Sequence, residues 1–272
     1  EHIERYERLA KRLEEAGIIT AGFNLAGHGE ECPKERLGVF DKKDGWNHML
    51  KDVYNAREIL IKKYPDIPLI MLGHSMGSFL LRCYIQKYTD GLPDMLVLCG
   101  TGYYGAPVLQ AGVFLAGLLG SFGKRNSPSN TISKIVFPQD KQAQTPFDWL
   151  TRDSKEVEKY IKDPLCGFPL SAGAYQDFFK GVLMLTHEER ISPAKPKMPV
   201  YFIAGEKDPI GKNNGVQKVA DNFRTAGYKD ITVKLYAEAR HELFNELNRD
   251  SVTDDLIMWI DKYISKDNIK EV

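Results

Sequence analysis

The sequence has few cysteines and no excess of either charge. Its 272 residues include 4 cysteines, and no two of these have the C-x-x-C spacing of a zinc or dithiol motif. Lysine and arginine together number 37, as do aspartate and glutamate, so no basic surplus predicts binding to nucleic acid. Cys83 and Cys99 lie in apolar helix and strand patterns. This placement predicts buried free thiols and hence a reducing compartment such as the cytoplasm.

The sequence also lacks a signal peptide and a long apolar run. It starts on charged residues rather than on an apolar segment. The apolar stretch from Val108 to Leu119 is too short and too rich in glycine for a membrane span. A hydrophobic fraction of 43% and a charged fraction of 27% are ordinary for a soluble globular protein.

One stretch joins two apolar runs through a G-x-S-x-G pattern. From Pro68 to Leu81 the sequence reads PLIMLGHSMGSFLL. Its first run predicts a strand over Leu69 to Leu72, and its second predicts a helix from Met76 to about Tyr88. A G-x-S-x-G turn between a strand and a helix is typical of a nucleophile elbow. The bare pattern would also describe a Gly-Ser turn between buried elements, but the flanking runs favour the elbow.

The elbow interpretation gives four residues a role. Ser75 would sit at the turn with its hydroxyl exposed as a nucleophile. Gly73 and Gly77 would flank it because the turn is too tight for side chains where strand and helix pack closely. Met76 would open the helix and point its backbone N–H toward a reacting oxygen, as one donor of an oxyanion hole.

The elements before the elbow alternate between helix and strand. Apolar spacing predicts a helix over Ile3 to Glu15, which Gly17 closes as a C-cap. A strand is expected over Ile18 to Leu25. A second helix is predicted from Gly45 to Tyr64, with Asp44 as its N-cap.

The same alternation continues after the elbow and resumes late in the chain. The predicted strands and helices cover Met95–Cys99, Val200–Ala204, Gly215–Ala226, Ile231–Tyr236 and Ser251–Ile264. No linker separates independent domains. The pattern therefore predicts an α/β fold, with a mostly parallel sheet flanked by helices, as a single domain over residues 1–272.

Residues 101–191 break this alternation and are interpreted as a helical cap inserted into the domain. The apolar run from Val108 to Leu119 is either a lid helix that lines an acyl pocket or an ordinary packed helix. We favour the lid, because an insertion after a βαβ unit lies above the carboxyl ends of the strands, where ligands bind. Residues Tyr175 to Leu185 predict a second helix of the cap.

A serine nucleophile requires a base, and the base requires an orienting carboxylate. His241 is the one histidine that follows the last predicted strand by a short loop. An ordinary surface histidine is the alternative interpretation of it. The other histidines precede the serine, lie in a helix, belong to the elbow or end the cap: His2, His28, His48, His74 and His187.

The candidate acid follows the preceding strand. Asp208 lies in the loop after Val200 to Ala204, where a plain turn aspartate before proline is the alternative. Glu206 is the rival acid, although it leaves the strand earlier. The order serine, acid, histidine, each on a loop after a strand, is the order that an α/β-hydrolase uses.

Four segments resemble the α/β-hydrolase superfamily, and more narrowly its monoacylglycerol lipase and lysophospholipase-like group, which shares a pattern with the serine aminopeptidase S33 branch. They are the E-H-x-x-R-Y of residues 1–6, Gly27-His28-Gly29, the elbow, and the loops that carry Asp208 and His241. The resemblance implies that Ser75 is the nucleophile, His241 the general base and Asp208 its orienter, with Gly27 and Gly29 structural.

The resemblance implies hydrolysis of carboxylic esters of apolar acyl chains, with a small-molecule ester as the partner and with no metal or organic cofactor. Transient contact of the cap with a membrane surface is a further expectation. An aminopeptidase or amidase of the same fold is the second hypothesis. It needs an acidic anchor in the cap, for which Asp153, Glu156 and Asp177 are candidates. A binding protein without catalysis is the third.

The sequence departs from the family at its start. There the family places a first oxyanion donor after a His-Gly pair that directly precedes E-H-x-x-R-Y, whereas this sequence begins at Glu1. We therefore expect the N-terminal strands to be missing from the sequence as given, including one between the Ile18 and Leu69 strands. The sheet would then keep a gap with unpaired edges.

Overall fold

Four parallel strands form the centre of the protein. The computed structural model describes residues 1–41, 43–137, 143–186, 197–212 and 214–264, so His187 and the end of the predicted cap lie outside the described residues. The strands are β1 (Ile70–His74), β2 (Met95–Cys99), β3 (Val200–Gly205) and β4 (Ile231–Tyr236). They pair in the order β1-β2-β3-β4. Because every pair is parallel, the carboxyl ends of the strands meet at one edge of the sheet.

Nine α-helices accompany these strands within the described ranges: α1 (Glu7–Glu15), α2 (Gly45–Lys63), α3 (Met76–Lys87), α4 (Ala106–Leu119), α5 (Asn130–Val136), α6 (Ser154–Lys162), α7 (Ala172–Met184), α8 (Gly215–Thr225) and α9 (Arg249–Ile264). A 3₁₀ turn, Ile3–Tyr6, leads into α1, so the first predicted helix is divided in two. Helices α4 to α7 follow β2 and precede β3, and we call them the cap.

The sheet is covered on both faces. Leu96 and Leu98 of β2 belong to one apolar cluster with residues of α2, α3 and α8. Met95 and Val97 belong to a second cluster with residues of α1 and α9. A parallel strand between two helical layers must be apolar at every position, which explains why β2 reads as an unbroken apolar run.

The predicted strand over residues 18–25 is wrong. This segment forms no strand, and the neighbour of β1 in the described sheet is β2 alone. Extended backbone becomes a strand only through hydrogen bonds to a neighbour, and no described strand lies beside this segment. Instead, the segment and β1 both line one large cavity.

The N-terminus of α2 is closed by a residue that the local sequence does not indicate. Asp44 occupies the N-cap position with a φ of 55°, but its side chain makes no capping hydrogen bond. The prediction of Asp44 as the N-cap is therefore right about the position and wrong about the hydrogen bond. The N–H of Gly45 donates to Asp177 Oδ2 of α7 at 3.0 Å. A cap helix thus holds the start of a helix that covers the sheet.

The prediction of buried free thiols is confirmed for Cys83 and Cys99. Both are buried, and all four cysteines are free. Within the described residues, no helix is both long and apolar enough to span a membrane.

Candidate active site

Ser75 occupies the turn between β1 and α3. Its φ of 51° and ψ of −119° lie outside the regions that a non-glycine residue favours. The Ser75 N–H donates to the carbonyl of Cys99, at the end of β2, at 2.9 Å. This bond to the neighbouring strand holds the turn, and the Ser75 side chain lines the large cavity.

The two elbow glycines differ in their packing. A Cβ on Gly73 would lie 2.5 Å from the Gly77 carbonyl oxygen, so position 73 has no room for a side chain. A Cβ on Gly77 would have nothing within 4 Å. The prediction that the turn leaves no room for a side chain is therefore confirmed at Gly73 and wrong at Gly77. The backbone of Gly77 fills the space where a Gly73 side chain would lie. Met76 begins α3, so its N–H has no acceptor inside the helix.

Asp208 and His241 meet at the carboxyl edge of the sheet. Nδ1 of His241 lies 2.9 Å from Asp208 Oδ2, and the side chains are 2% and 0% exposed. Asp208 Oδ1 accepts the Ile210 N–H at 2.8 Å. Burial alone would raise the pKa of Asp208, but the charge and hydrogen bond of His241 lower it below its ordinary value. The carboxylate is therefore suited to hold the imidazole in one orientation.

The rival acid does not reach the histidine. Glu206 is exposed in the loop after β3, and its N–H donates to the Tyr236 carbonyl. Asp208, two residues after Glu206, is buried, and its carboxylate is the one that reaches His241. Because both acids follow the same strand, the sequence alone left this choice to the geometry of the loop.

Two aromatic rings contact the imidazole of His241. The His74 ring lies 4.6 Å away and the Trp149 ring 5.0 Å away, measured between centroids. The sequence analysis gave neither side chain a role. Trp149 belongs to the cap, and no short-range pattern connects it with the loop after β4.

A buried carboxylate joins the cap to the histidine loop. Glu246 is fully buried and accepts the N–H of Arg240 at 2.9 Å and the Nε–H of Arg152 at 3.0 Å. The Glu242 N–H also donates to the Leu150 carbonyl at 2.7 Å. The cap segment next to Trp149 is thus fixed to the loop that carries His241.

A cavity of about 1780 Å³ opens beside these groups. Ser75, Met76 and His241 contribute to its wall, and most of the remaining described lining is apolar. Apolar residues of the cap in this wall include Val108, Leu109, Ala111, Leu115, Ile135, Val136, Phe137, Phe147, Trp149, Phe178 and Phe179. The α4 helix lines the cavity, as a lid helix would, and it also packs against α7, as an ordinary packed helix would.

The remaining described histidines are held by local partners. His28 Nδ1 lies 3.1 Å from the Ala26 carbonyl, and His48 Nδ1 lies 2.6 Å from Asp41. Gly27 and Gly29 beside His28 have φ values of 79° and 83°, in the left-handed region that favours glycine. The structural role expected for both glycines agrees with this backbone.

One described group has donors close enough for a metal ion: His2, Asp163 and Cys166. Both nitrogens of His2 already face carboxylates, Glu4 and Asp163. Burial raises the pKa of Cys166 to about 12, although the Arg5 charge opposes it. In the described structure His2 is therefore paired with two carboxylates, and Cys166 is a buried thiol beside them.

Known sequences share this pattern over nearly the whole chain. The sequence model of the serine aminopeptidase S33 family matches residues 1–248. Mouse monoglyceride lipase is 27% identical over 270 residues, covering 97% of this chain and 79% of that protein. Monoacylglycerol lipase of Mycolicibacterium smegmatis is 26% identical over 265 residues, covering 96% of this chain and 84% of that protein.

Solved structures share the fold. A thermostable carboxyl esterase from Bacillus coagulans, solved with glycerol, superposes with a TM-score of 0.85 at 28% identity, covering 96% of this chain and 86% of that chain. A soluble variant of monoglyceride lipase from Saccharomyces cerevisiae gives a TM-score of 0.72 at 23% identity, covering 97% and 83%. The chain belongs to the serine aminopeptidase S33 family, in the group of α/β-hydrolases that is similar to monoacylglycerol lipases, and it is a serine hydrolase.

Proposed function

We propose that this hydrolase cleaves carboxylic esters of apolar acyl chains, in the manner of a monoacylglycerol lipase or a lysophospholipase, through Ser75, Asp208 and His241. The observation that carries the proposal is the position of the Asp208–His241 pair and of Ser75 at one apolar cavity. The apolar side chains that line this cavity on the side of Ser75 and His241 suit a long acyl chain.

The proposed reaction is acyl transfer to serine followed by hydrolysis. His241 takes the Ser75 proton through Nε2 as Oγ attacks the ester carbonyl, while Asp208 stabilises the imidazolium at Nδ1. The Met76 N–H donates to the oxyanion. The tetrahedral intermediate then breaks its bond to the alkoxide, which takes the proton from His241 and leaves as an alcohol. Water, deprotonated by His241, then attacks the acyl carbonyl, and the second tetrahedral intermediate breaks its bond to Ser75 Oγ. Oγ takes the proton back from His241 as the acid leaves.

The cap geometry supports an esterase over an aminopeptidase. An aminopeptidase needs a carboxylate in the cavity to bind the substrate amine. Asp153 pairs with Arg249 at 2.7 Å, Glu156 with Lys159 at 2.7 Å and Asp177 with Arg125 at 2.8 Å. None of these three acids belongs to the described lining of the cavity. Each of the three candidate anchors is therefore already paired with a cation.

We also propose that the cap contacts a lipid surface. Val108, Phe114, Leu118 and Phe122, in and after α4, are 66%, 73%, 59% and 96% exposed, and Ile135 of α5 is 65% exposed. Exposure of large apolar side chains to water is unfavourable, and their transfer into a lipid interface lowers the free energy. Since α4 also lines the cavity, such contact would bring an insoluble substrate to its mouth. The buried thiols of Cys83 and Cys99 suit a reducing, cytoplasmic setting.

Labelling of the nucleophile tests the proposed function. A fluorophosphonate should attach to Ser75, and peptide mass spectrometry should locate it there. The Ser75→Ala variant should lose labelling and all but a trace of activity on p-nitrophenyl esters, while aminoacyl-nitroanilides should remain poor substrates of the parent protein. Labelling that survives in Ser75→Ala would refute the assignment. Faster cleavage of the anilides would favour the aminopeptidase, and full activity of the variant would exclude Ser75 catalysis.

A further inference from the structure

The side chain of His74, the residue before the proposed nucleophile, contacts both the ring and the backbone carbonyl of His241. The His74 side chain is 6% exposed. Its ring lies 4.6 Å from the His241 ring, with 44° between the planes. Its Nε2 lies 3.2 Å from the His241 carbonyl oxygen. The proposed reaction uses no atom of His74, so the purpose of these contacts must be sought elsewhere.

The hydrogen bonds around His74 indicate where its protons lie. A carbonyl oxygen only accepts, so Nε2 donates to His241. The Tyr6 hydroxyl donates its single proton to Glu1 Oε1 at 2.8 Å. Nδ1 of His74 lies 2.8 Å from the same Tyr6 oxygen and must therefore donate to it. A ring that donates through both nitrogens is an imidazolium.

The charges near this ring support the protonated form. Glu1 Oε1 lies 3.5 Å from His74 Nδ1, and Glu242 forms a buried ion pair with Arg5. Burial by itself would lower the pKa of His74, but the Glu1 hydrogen bond and the charges of Glu1 and Glu242 raise it above its ordinary value. The other titratable groups facing this cluster are Tyr6, Cys99, Asp208 and His241.

We propose that His74 is a positioning residue: held as an imidazolium by Tyr6 and Glu1, it fixes the His241 loop and ring against Asp208. The inference rests on the proposed function, because it assumes that His241 acts as the base. Nε2 of His74 restrains the backbone of residue 241 while the two rings restrain the imidazole plane. His74 thus holds the loop and the ring of His241, while His241 is the proposed base.

Three variants and one spectrum test the proposal. His74→Phe keeps a ring against His241 and removes both hydrogen bonds, and His74→Gln removes the charge. Tyr6→Phe removes the hydroxyl that accepts from His74 Nδ1 and donates to Glu1. Each should lower kcat on a soluble ester by about 10–100-fold with KM changed less than about threefold. His48→Gln, on the exposed face of α2, is the matched control and should equal the parent.

A two-bond proton–nitrogen spectrum of the histidine-labelled protein reads the charge directly. The signal that is lost in His74→Gln should show two nitrogens of nearly equal shift, as an imidazolium does. Circular dichroism confirms that each variant folds. If a His74 variant does not fold, Tyr6→Phe and the spectrum of the parent still decide the question.

The outcomes separate this inference from the proposed function. Neutral nitrogen shifts for His74, or parental kcat in all three variants, would overturn the positioning role while Ser75 remains labelled and essential. Full activity of Ser75→Ala would instead overturn the proposed function. Loss of kcat with little change in KM, together with an imidazolium spectrum for His74, would support the inference.

Discussion

The floor and the roof of the cavity are held in different ways. The floor consists of Ser75 and His241 at the edge of the sheet, with Asp208 buried behind His241, and hydrogen bonds to neighbouring segments hold these residues. The roof is the cap, in which α4 contributes apolar side chains to the cavity and leaves others in solvent. Chemistry at the floor depends on single polar atoms, whereas the roof supplies apolar area that many side chains share.

This contrast predicts its largest effect at the acid. Asp208→Asn should lower kcat/KM by about 10²–10⁴-fold, because an amide neither fixes the His241 tautomer nor stabilises the imidazolium. Glu206→Gln, in the same loop but exposed, should remain within about twofold of the parent. Steady-state kinetics on a soluble ester measure both. Equal loss in the two variants would mean that the loop, rather than the Asp208 carboxylate, matters.

A smaller effect, on the pH dependence of stability, is expected at His28, which packs beside Phe168 of the cap segment. The His28 ring lies 5.6 Å from that of Phe168 and 6.2 Å from that of Phe40. Burial lowers the pKa of His28 to about 4. The unfolded chain binds this proton near the ordinary value of 6.5, so the folded protein should lose stability as pH falls from 6.5 to about 4.

The loss at His28 should be on the order of 2 kcal/mol, allowing for partial exposure of the ring. His28→Asn removes this titration, so its free energy of unfolding should depend less on pH over that range. Urea unfolding at a series of pH values gives the two curves. Parallel curves for variant and parent would contradict the assignment.

We call the hydrogen bonds of Asp177 in α7 with Arg125 and with Gly45 of α2 the tether. It should contribute a comparable or smaller part of the free energy of unfolding. Asp177 accepts from Arg125 at 2.8 Å and from the Gly45 N–H at 3.0 Å. Asp177→Ala leaves the Gly45 N–H without this acceptor, so it should cost about 1–2 kcal/mol in the free energy of unfolding. Asp221→Ala, on the exposed surface of α8, should cost less than about 0.5 kcal/mol. Chemical denaturation measures both, and equal losses would argue against a tether.

The smallest effect is expected on the outer face of the roof. Phe114→Ser and Leu118→Ser should each lower binding to lipid vesicles by about fivefold, which corresponds to roughly 1 kcal/mol of lost apolar burial. Activity on a soluble ester should not change, because neither side chain belongs to the described lining of the cavity. Met258→Ser, 61% exposed on α9, is the matched control for vesicle flotation. Unchanged flotation in all three variants would exclude this face as the lipid contact.

Local patterns predicted most of the strands and helices. Strands β2 and β3 are recognisable as unbroken apolar runs, because a strand covered on both faces must be apolar throughout, and the apolar patterns of β1 and β4 also indicate strands. Residues 18–25 have a similar pattern but form no strand, since pairing depends on a neighbour that no local pattern specifies. Asp44 shows the same limit: it occupies the N-cap position, but the acceptor comes from Asp177, far along the chain.

The candidate site was predictable to the extent that it follows from the order of the loops. Ser75, Asp208 and His241 each follow a strand, and parallel strands bring their carboxyl ends to one edge. The order of residues cannot choose between Asp208 and Glu206, because the direction of a side chain in a loop depends on the turn. The contacts of His74 and Trp149 with His241 were equally out of reach, since both are made between distant segments.

The sequence by itself indicated the elbow and the parallel sheet, because both depend on steric and periodic constraints within a few residues, and it gave the order of the proposed nucleophile, acid and base along the chain. Tertiary structure decided which acid meets His241, which carboxylate closes α2, and which rings hold the imidazole. It also decided that His74 sits among Tyr6, Glu1 and the His241 carbonyl. Burial of charge is a property of the assembled fold, because only packing removes water from groups that the chain keeps far apart.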